Sequence, residues 1–406
     1  MSIVLLLPLL LIEAWQALYS TYLAVLAAAS FFYRRRSVTT IGRRRRFAVL
    51  VPAHNEEALL GRLLTSLDDL DYPKTLYEVY VVADNCTDAT AAIARGAGVN
   101  VFERSDDAAR GKGQALRWLM QCVPLNEYDG VLVVDADSVV SANALEAAEE
   151  ALFGGHELAQ LYDSVLNRDE SPATALRALS FDLHNRVRTM GQEVLGASVG
   201  LMGNGMVIST RLLREGLWDS FGLAEDLEAH ARLVSQGHRV HYIDHASALA
   251  EMPATLADSA GQNGRWEAGR LEVARRHAPG LIAAGLRRAS WTRLSAGIDL
   301  LVPPQSVQTL LAAGSLGGAL VLGARVATTL ALWVVGAQLF YLVAGIARLG
   351  RGGVSLSCLL HAPRYVIWKT LLYARVLCGR GGRSWTRGHR GEAQTERKLE
   401  AATPRR

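Results

Sequence analysis

Two carboxylates spaced two residues apart, Asp135 and Asp137, follow the aliphatic run Val131-Leu132-Val133-Val134. In an extended chain, side chains at i and i+2 leave the same face, so both can reach one cation or a phosphate-bound cation. The competing role for Asp137-Ser138 is a turn, or a cap for the helix from Ala142 onward. Oxygen donors of this kind suit Mg2+ or Mn2+ better than zinc. Lys112, between Gly111 and Gly113, has two readings: it leans over a diphosphate, or it rides on a flexible surface loop. In Gln262-Asn263-Gly264-Arg265-Trp266, Arg265 offers a planar fork suited to phosphate and Trp266 a flat face of the type sugars stack on. The alternative for that pair is an interfacial anchor on an amphipathic helix.

These groups need rigid elements behind them. From Phe47 to about His245 the pattern alternates strand and helix. Phe47 to Val51, Val79 to Ala83, Asn100 to Glu103 and the Val131 run read as four strands. Leucines at 59, 60, 63, 64, 67 and 70 form a 3.6-residue stripe after the first. Such alternation predicts a parallel, right-handed, doubly wound sheet with its ligand at the carboxyl ends of the strands. Strand one ends in Asn55 and Glu56, strand two in Asp84, strand four in Asp135 and Asp137. Glu56 and Glu57 also complement a helix dipole, as do Glu225 and Asp226 at the head of an amphipathic helix running to Gln236.

Pro52-Ala53-His54-Asn55-Glu56-Glu57 has no glycine, which excludes a dinucleotide-binding fingerprint, and the chain lacks a P-loop run. The segments Pro52 to Glu57, Asp84-Asn85, Arg110-Gly111-Lys112-Gly113, Asp135-Ala136-Asp137, Ala224-Glu225-Asp226 and Gln262 to Trp266 stand in one particular order. On them the chain resembles the family 2 glycosyltransferases, inverting enzymes of the GT-A fold, an α/β doubly wound mixed sheet. With its apolar flanks it is similar to the membrane-embedded branch of cellulose, hyaluronan, chitin-oligosaccharide and poly-N-acetylglucosamine synthases. The resemblance implies nucleotide-sugar contacts from Pro52, His54, Glu56 and Asp84, the last on the base, with a UDP-linked donor. It further implies Asp226 as general base, Asp137 as first metal ligand beside Asp135, and Asp135 facing the nucleotide. Arg265 closes the donor site, while Trp266, Gln262 and Gly205 face the acceptor. The acceptor is a growing polysaccharide or a membrane-associated lipid, polyprenyl-phosphate or glycolipid. Intact Asp135, Asp137, Asp226 and Arg265 argue against a non-catalytic nucleotide-binding scaffold.

The apolar fraction of 50% is high for a wholly soluble chain of 406 residues, and it concentrates at the two ends. The net charge is only +4, but Arg34-Arg35-Arg36, Arg43 to Arg46 and the C-terminal tail cluster it beside apolar segments. That favours an anionic membrane surface over nucleic acid. Residues 1–33 read as a retained anchor, because the basic residues follow the apolar stretch, and the positive-inside rule places the catalytic domain in the cytoplasm. Residues 47–278 form the catalytic domain, 279–299 an interfacial helix beginning at Pro279, and 300–347 a transmembrane hairpin. Residues 354–378 are a second interfacial helix and 379–406 a basic, disordered tail. The expectation is a multi-pass protein of the inner membrane. Three spans are few for a polysaccharide channel within one subunit, which leaves room for export subunits. Cys86, Cys122, Cys358 and Cys378 lie far apart, as in a reducing compartment.

Overall fold

The computed structural model describes residues 3–35, 44–216, 222–350 and 356–380. Residues 36–43, which include Arg36 and Arg43 of the two arginine clusters, and all but the start of the basic tail lie outside the described residues.

Eight strands build one sheet: β1 (Phe47–Ala53), β2 (Tyr77–Asp84), β3 (Asn100–Arg104), β4 (Gly130–Val133), β5 (Ser138–Val140), β6 (Leu158–Val165), β7 (Met206–Ser209) and β8 (Val240–Ala250). Their order is β3-β2-β1-β4-β7-β6-β8-β5. The first four in that order are parallel, as the alternation predicts. The sheet is nevertheless mixed, because β7 runs antiparallel to both β4 and β6, and β5 antiparallel to β8.

The helices between strands are α2 (Leu60–Asp68), α3 (Thr90–Gly96), α4 (Lys112–Cys122), α5 (Ala144–Phe153), α6 (Pro172–Phe181), α7 (Thr189–Val194), α8 (Thr210–Arg214) and α9 (Glu225–Gln236), after an N-terminal α1 (Ile3–Ser30). A second group follows: α10 (Ala260–Arg287), α11 (Trp291–Leu301), α12 (Gln305–Val321), α13 (Arg325–Leu349) and α14 (Ala362–Leu377).

Because successive strand residues face opposite ways, β1 and β4 feed two cores. Val49, Val51 and Leu132 meet the leucine stripe of α2 on one side, and Leu50, Val131 and Val133 meet Leu116 and Leu119 of α4 on the other. Each such leucine contributes about 2 kcal/mol of burial. The central strands are therefore rigid, and their carboxyl ends hold side chains in place.

A continuous helical stretch, α6 to α7 through a π-helical segment Asp182–Arg188, joins this domain to the apolar helices. Leu176, Leu179 and Leu183 pack with Tyr19 and Leu23 of α1 and Tyr341 of α13, and the Tyr341 hydroxyl donates to Leu183 O at 2.9 Å.

Three expectations change. The break expected at Pro279 is absent: Pro279 lies inside α10, and the chain turns at Arg288–Ser290, where Ala289 takes φ +47°. Tertiary packing overrides the local breaker there, because Gly285 lies against Leu294 and Gly297 against Ile282, letting α11 fold back on α10. The hairpin from residue 300 also starts later, after Pro303-Pro304, and α12 has 17 residues against the ~20 a bilayer needs. Among the described residues two helices are long and apolar enough to cross a membrane, Leu6–Ser30 and Arg325–Leu349. Finally, Asp135 and Asp137 are not on an extended strand. They sit in a tight turn from β4 to β5, closed by the Ser138 N–H donating to Asp135 O at 3.1 Å.

Candidate functional site

The carboxyl ends of β1, β2 and β4 open into a cavity of about 1140 Å³. It is lined by Pro52, His54, Glu56, Asp84, Lys112, Asp135, Asp137, Asp226, Gln262, Arg265 and Trp266. Residues separated by up to 214 positions in sequence therefore share one space. Gly205 is not among them: at φ +72° it sits behind the site, where an added Cβ would lie 3.0 Å from Leu161 and 3.1 Å from Ala248. Gly203 is the glycine that faces the site, at φ +79°, with a Cβ position 2.9 Å from Lys112 Nζ and 3.0 Å from Asp226 Oδ2.

The loops after β1 and β2 are laced together. Asn55 and Asn85 both take left-handed φ, 54° and 50°, which asparagine tolerates better than most residues. The His54 ring Nδ1 lies 2.7 Å from Asp84 O, the Asn55 side-chain oxygen accepts from Thr87 N–H at 2.7 Å, and Glu56 N–H donates to Thr90 Oγ1 at 2.8 Å. Asp84, only 3% exposed, is held by Arg104 Nη1 at 2.5 Å. Arg104 was invisible to motif reasoning; a charged residue closing a short apolar strand was its only trace.

Lys112 does not ride on a flexible surface loop. It opens α4, and its Nζ lies 2.5 Å from Asp135 Oδ1 and 4.0 Å from Glu225 Oε1 while donating to Gly203 O at 2.7 Å. Burial alone would lower the ammonium, but Asp135 and Glu225 outweigh it and hold it above its usual range. The acids respond in the opposite sense. Burial raises Asp226 and Asp135, with Lys112 opposing in both cases and Asp137 raising Asp135 further. Burial, with Asp226 beside it, pushes Glu225 up to about 7.

Asp163 of β6 lies deeper still. It accepts from Asn185 at 3.0 Å and Asn204 at 2.9 Å, and burial pushes its carboxyl well up. Asn204 Oδ1 in turn accepts the Asp135 N–H at 3.2 Å, so this layer positions the Asp135 turn. An acid amid a buried strand, Leu161-Tyr162-Asp163-Ser164-Val165, was the available sequence signal.

Asp135 and Asp137 fit a hard divalent cation: Asp137 raises the proton affinity of Asp135, and a cation between two carboxylates relieves such repulsion. Among the described residues no group of three or more His, Cys, Asp or Glu is arranged to hold a metal. The pair therefore matches the Mg2+ pattern of one or two carboxylates completed by substrate phosphates and water.

On the far wall, α10 carries Gln262, Arg265 and Trp266. Trp266 packs against Phe181 with ring centroids 6.2 Å apart, so part of its face is already covered. Gly269, one turn further on, touches the chain leading into α9: a Cβ there would lie 2.9 Å from Ala224. The helix thus braces the segment that presents Asp226.

A catalytic α/β sheet with acids at its strand ends and a helix closing the cleft agrees with the family comparison. Residues 44–269, more than half the chain, match the model described as glycosyltransferase like family 2, and the chain belongs to that family. Among curated relatives it is 28% identical over 232 residues to a β-monoglucosyldiacylglycerol synthase of Nostoc, covering 55% of this chain and 48% of the relative. It is 23% identical over 245 residues to glucomannan 4-beta-mannosyltransferase 7 of Arabidopsis thaliana, covering 58% and 44%. The chain thus spans about half the length of the curated relatives it matches. Among solved structures, a mannosyltransferase from Pyrobaculum calidifontis in complex with GDP-Man and Mn2+ aligns at 18% identity and a TM-score of 0.46, covering 82% of this chain and 99% of that one.

Proposed function

We propose that this protein is a membrane-anchored inverting glycosyltransferase that moves one sugar from a UDP-sugar to a lipid acceptor. The carrying observation is that a single cavity joins the acidic strand ends to walls contributed by α1, α12 and α13, including Leu23, Thr309, Tyr341 and Leu342. An acceptor resting among those helices can present its head to Asp226. Membrane anchoring is supported by large apolar side chains left exposed on α1 and α13, among them Leu11, Leu18, Leu332, Trp333 and Val343. Cytoplasmic placement of the sheet at the inner membrane is supported by the basic residues after α1.

In this scheme Asp84 accepts from the nucleotide base, with Pro52, His54 and Glu56 around it. Asp137 and Asp135 would hold Mg2+ or Mn2+, which would supply charge neutralisation for the leaving diphosphate. Arg265 adds a fork to the same phosphates. Asp226 takes the proton from the acceptor hydroxyl as its oxygen bonds to the anomeric carbon. The bond from that carbon to the diphosphate breaks on the opposite side, and the electron pair leaves with the UDP. Burial suits this role, since it raises the Asp226 carboxylate's affinity for a proton.

The test is a panel of UDP- and GDP-sugars with the purified chain and extracted lipids, with and without Mg2+ or Mn2+. The expected result is one lipid-linked product that needs both the cation and Asp226. A ladder of chain lengths would instead identify a polymerase and overturn the single-transfer reading.

A further inference from the structure

The cavity has a second charged end. Arg177 on α6 lines it, is 1% exposed, and donates from Nη1 to Pro253 O at 2.9 Å. Its Nε and Nη2, the two donors on one edge of the guanidinium, have no hydrogen-bond partner. A buried cation left in that state is costly unless something anionic reaches it. Among the described residues no protein carboxylate forms an ion pair with Arg177. Glu267, which lines the same cavity, is taken by Lys369 at 2.8 Å, and Lys369 also donates to Asn263 Oδ1 at 2.7 Å. Arg270, which donates to Val302 O, adds a third cation to this end. Burial pushes the Lys369 ammonium down, Glu267 opposes this, and Arg177 and Arg270 add to it. Ser306, on the first turn of α12, is a further buried hydroxyl lining the cavity without a partner.

We infer that this basic end binds the phosphate group of the acceptor lipid, so that the enzyme selects phosphorylated over neutral lipids. The inference rests on the transferase reading above and names its acceptor class. Two adjacent N–H donors on a fixed guanidinium edge match two phosphate oxygens. The surroundings match a lipid, because Leu176, Leu179, Leu342 and Leu359 line the same space. The position matches the chemistry as well. Pro253 lies two residues after Glu251, whose N–H donates to Asp137 O at 3.2 Å, so one short segment ties the phosphate site to the cation turn.

The experiment uses the full chain in detergent micelles, with lipid binding measured by native mass spectrometry and UDP or inorganic phosphate binding by calorimetry. Dioleoyl phosphatidylglycerol and dioleoylglycerol are the probes, since both carry a hydroxyl and only one a phosphate. Wild type is expected to prefer phosphatidylglycerol by about tenfold or more. Arg177→Gln should lose that preference, Arg177→Lys should keep part of it, and UDP affinity should not change in either. Lys369→Gln, on a different helix, should weaken the same preference, so a misfolded Arg177 variant does not end the test. Equal binding of the two lipids by wild type overturns the inference. Weaker UDP binding in Arg177→Gln also overturns it, by assigning the site to the donor, and inorganic phosphate binding as tightly as the phospholipid overturns the lipid assignment. Glycosylation of dioleoylglycerol without a phosphate preference would sink this inference alone. Absence of UDP-sugar turnover with every lipid, the phosphate preference intact, would sink the transferase reading instead.

Discussion

The two ends of the cavity treat charge in opposite ways. At the sheet, the acids are numerous and held: Asp84 by Arg104, Asp135 by Lys112, Asp163 by Asn185 and Asn204, and Asp226 Oδ1 by the Leu227 N–H at 2.8 Å. At the helices, Arg177 keeps two buried donors without partners, and Arg188 keeps its Nε in the same state. One end is therefore preorganised by the protein itself, while the other is completed by what enters. The difference follows from the elements beneath. Strand ends locked between two cores can hold carboxylates against their mutual repulsion. The basic end is assembled from α6, α10 and α14, which meet only through tertiary packing.

The acidic end breaks most severely at Asp226. Asp226→Asn should lower kcat by about 10²–10⁴ with donor affinity retained, read from steady-state rates and UDP binding. An unchanged rate would remove Asp226 from the base role. Next in size is Lys112→Met, which leaves Asp135, Glu225 and Asp226 crowded without their cation. Thermal unfolding should report a loss of about 3–5 kcal/mol, with Mg2+ restoring part of it if a cation can take over the relief. A neutral outcome would make Lys112 a surface residue after all. Gly269→Val tests the brace between the walls: a Cβ meets Ala224, so overpacking of about 1–3 kcal/mol should displace the α9 entry and lower kcat more than it raises KM.

The smallest effect is a pH slope. The Glu225 carboxyl is raised from 4.5 to about 7, so the folded state holds its proton more tightly than the unfolded chain does. Its stabilising contribution is full below pH 4.5 and is lost as pH rises through about 7. In metal-free protein, melting temperatures from pH 4 to 8 should therefore fall less steeply for Glu225→Gln than for wild type. Parallel curves would show that Glu225 does not titrate there.

Much of the acidic end was legible because its signals are local. An apolar run ending in Asp84 or in Asp135 declares both a buried strand and the end that carries chemistry. The leucine stripe of α2 and the acids opening α9 are equally direct, since helix period and dipole act over a few residues. The resemblance put Gly205 at the acceptor, but which glycine faces the site, Gly203 or Gly205, depends on the strand pairing of β7 with β4. Pro279 misled for the same reason in reverse, as a local preference was overridden by α11 packing back through Gly285 and Gly297.

By itself the sequence determined the parallel half of the sheet, the order of the motifs, their family and the set of acids at the strand ends. These depend on backbone preference and on the face a side chain takes, which neighbouring residues decide. Only the tertiary structure decided that Lys112 is bound among three carboxylates, that Gly203 rather than Gly205 reaches the site, and that Arg177 faces the cavity with donors to spare. Each of those facts is a contact, or a missing contact, between residues far apart in the chain, and burial then gives it its energetic weight. Periodicity and spacing carry no record of such distances.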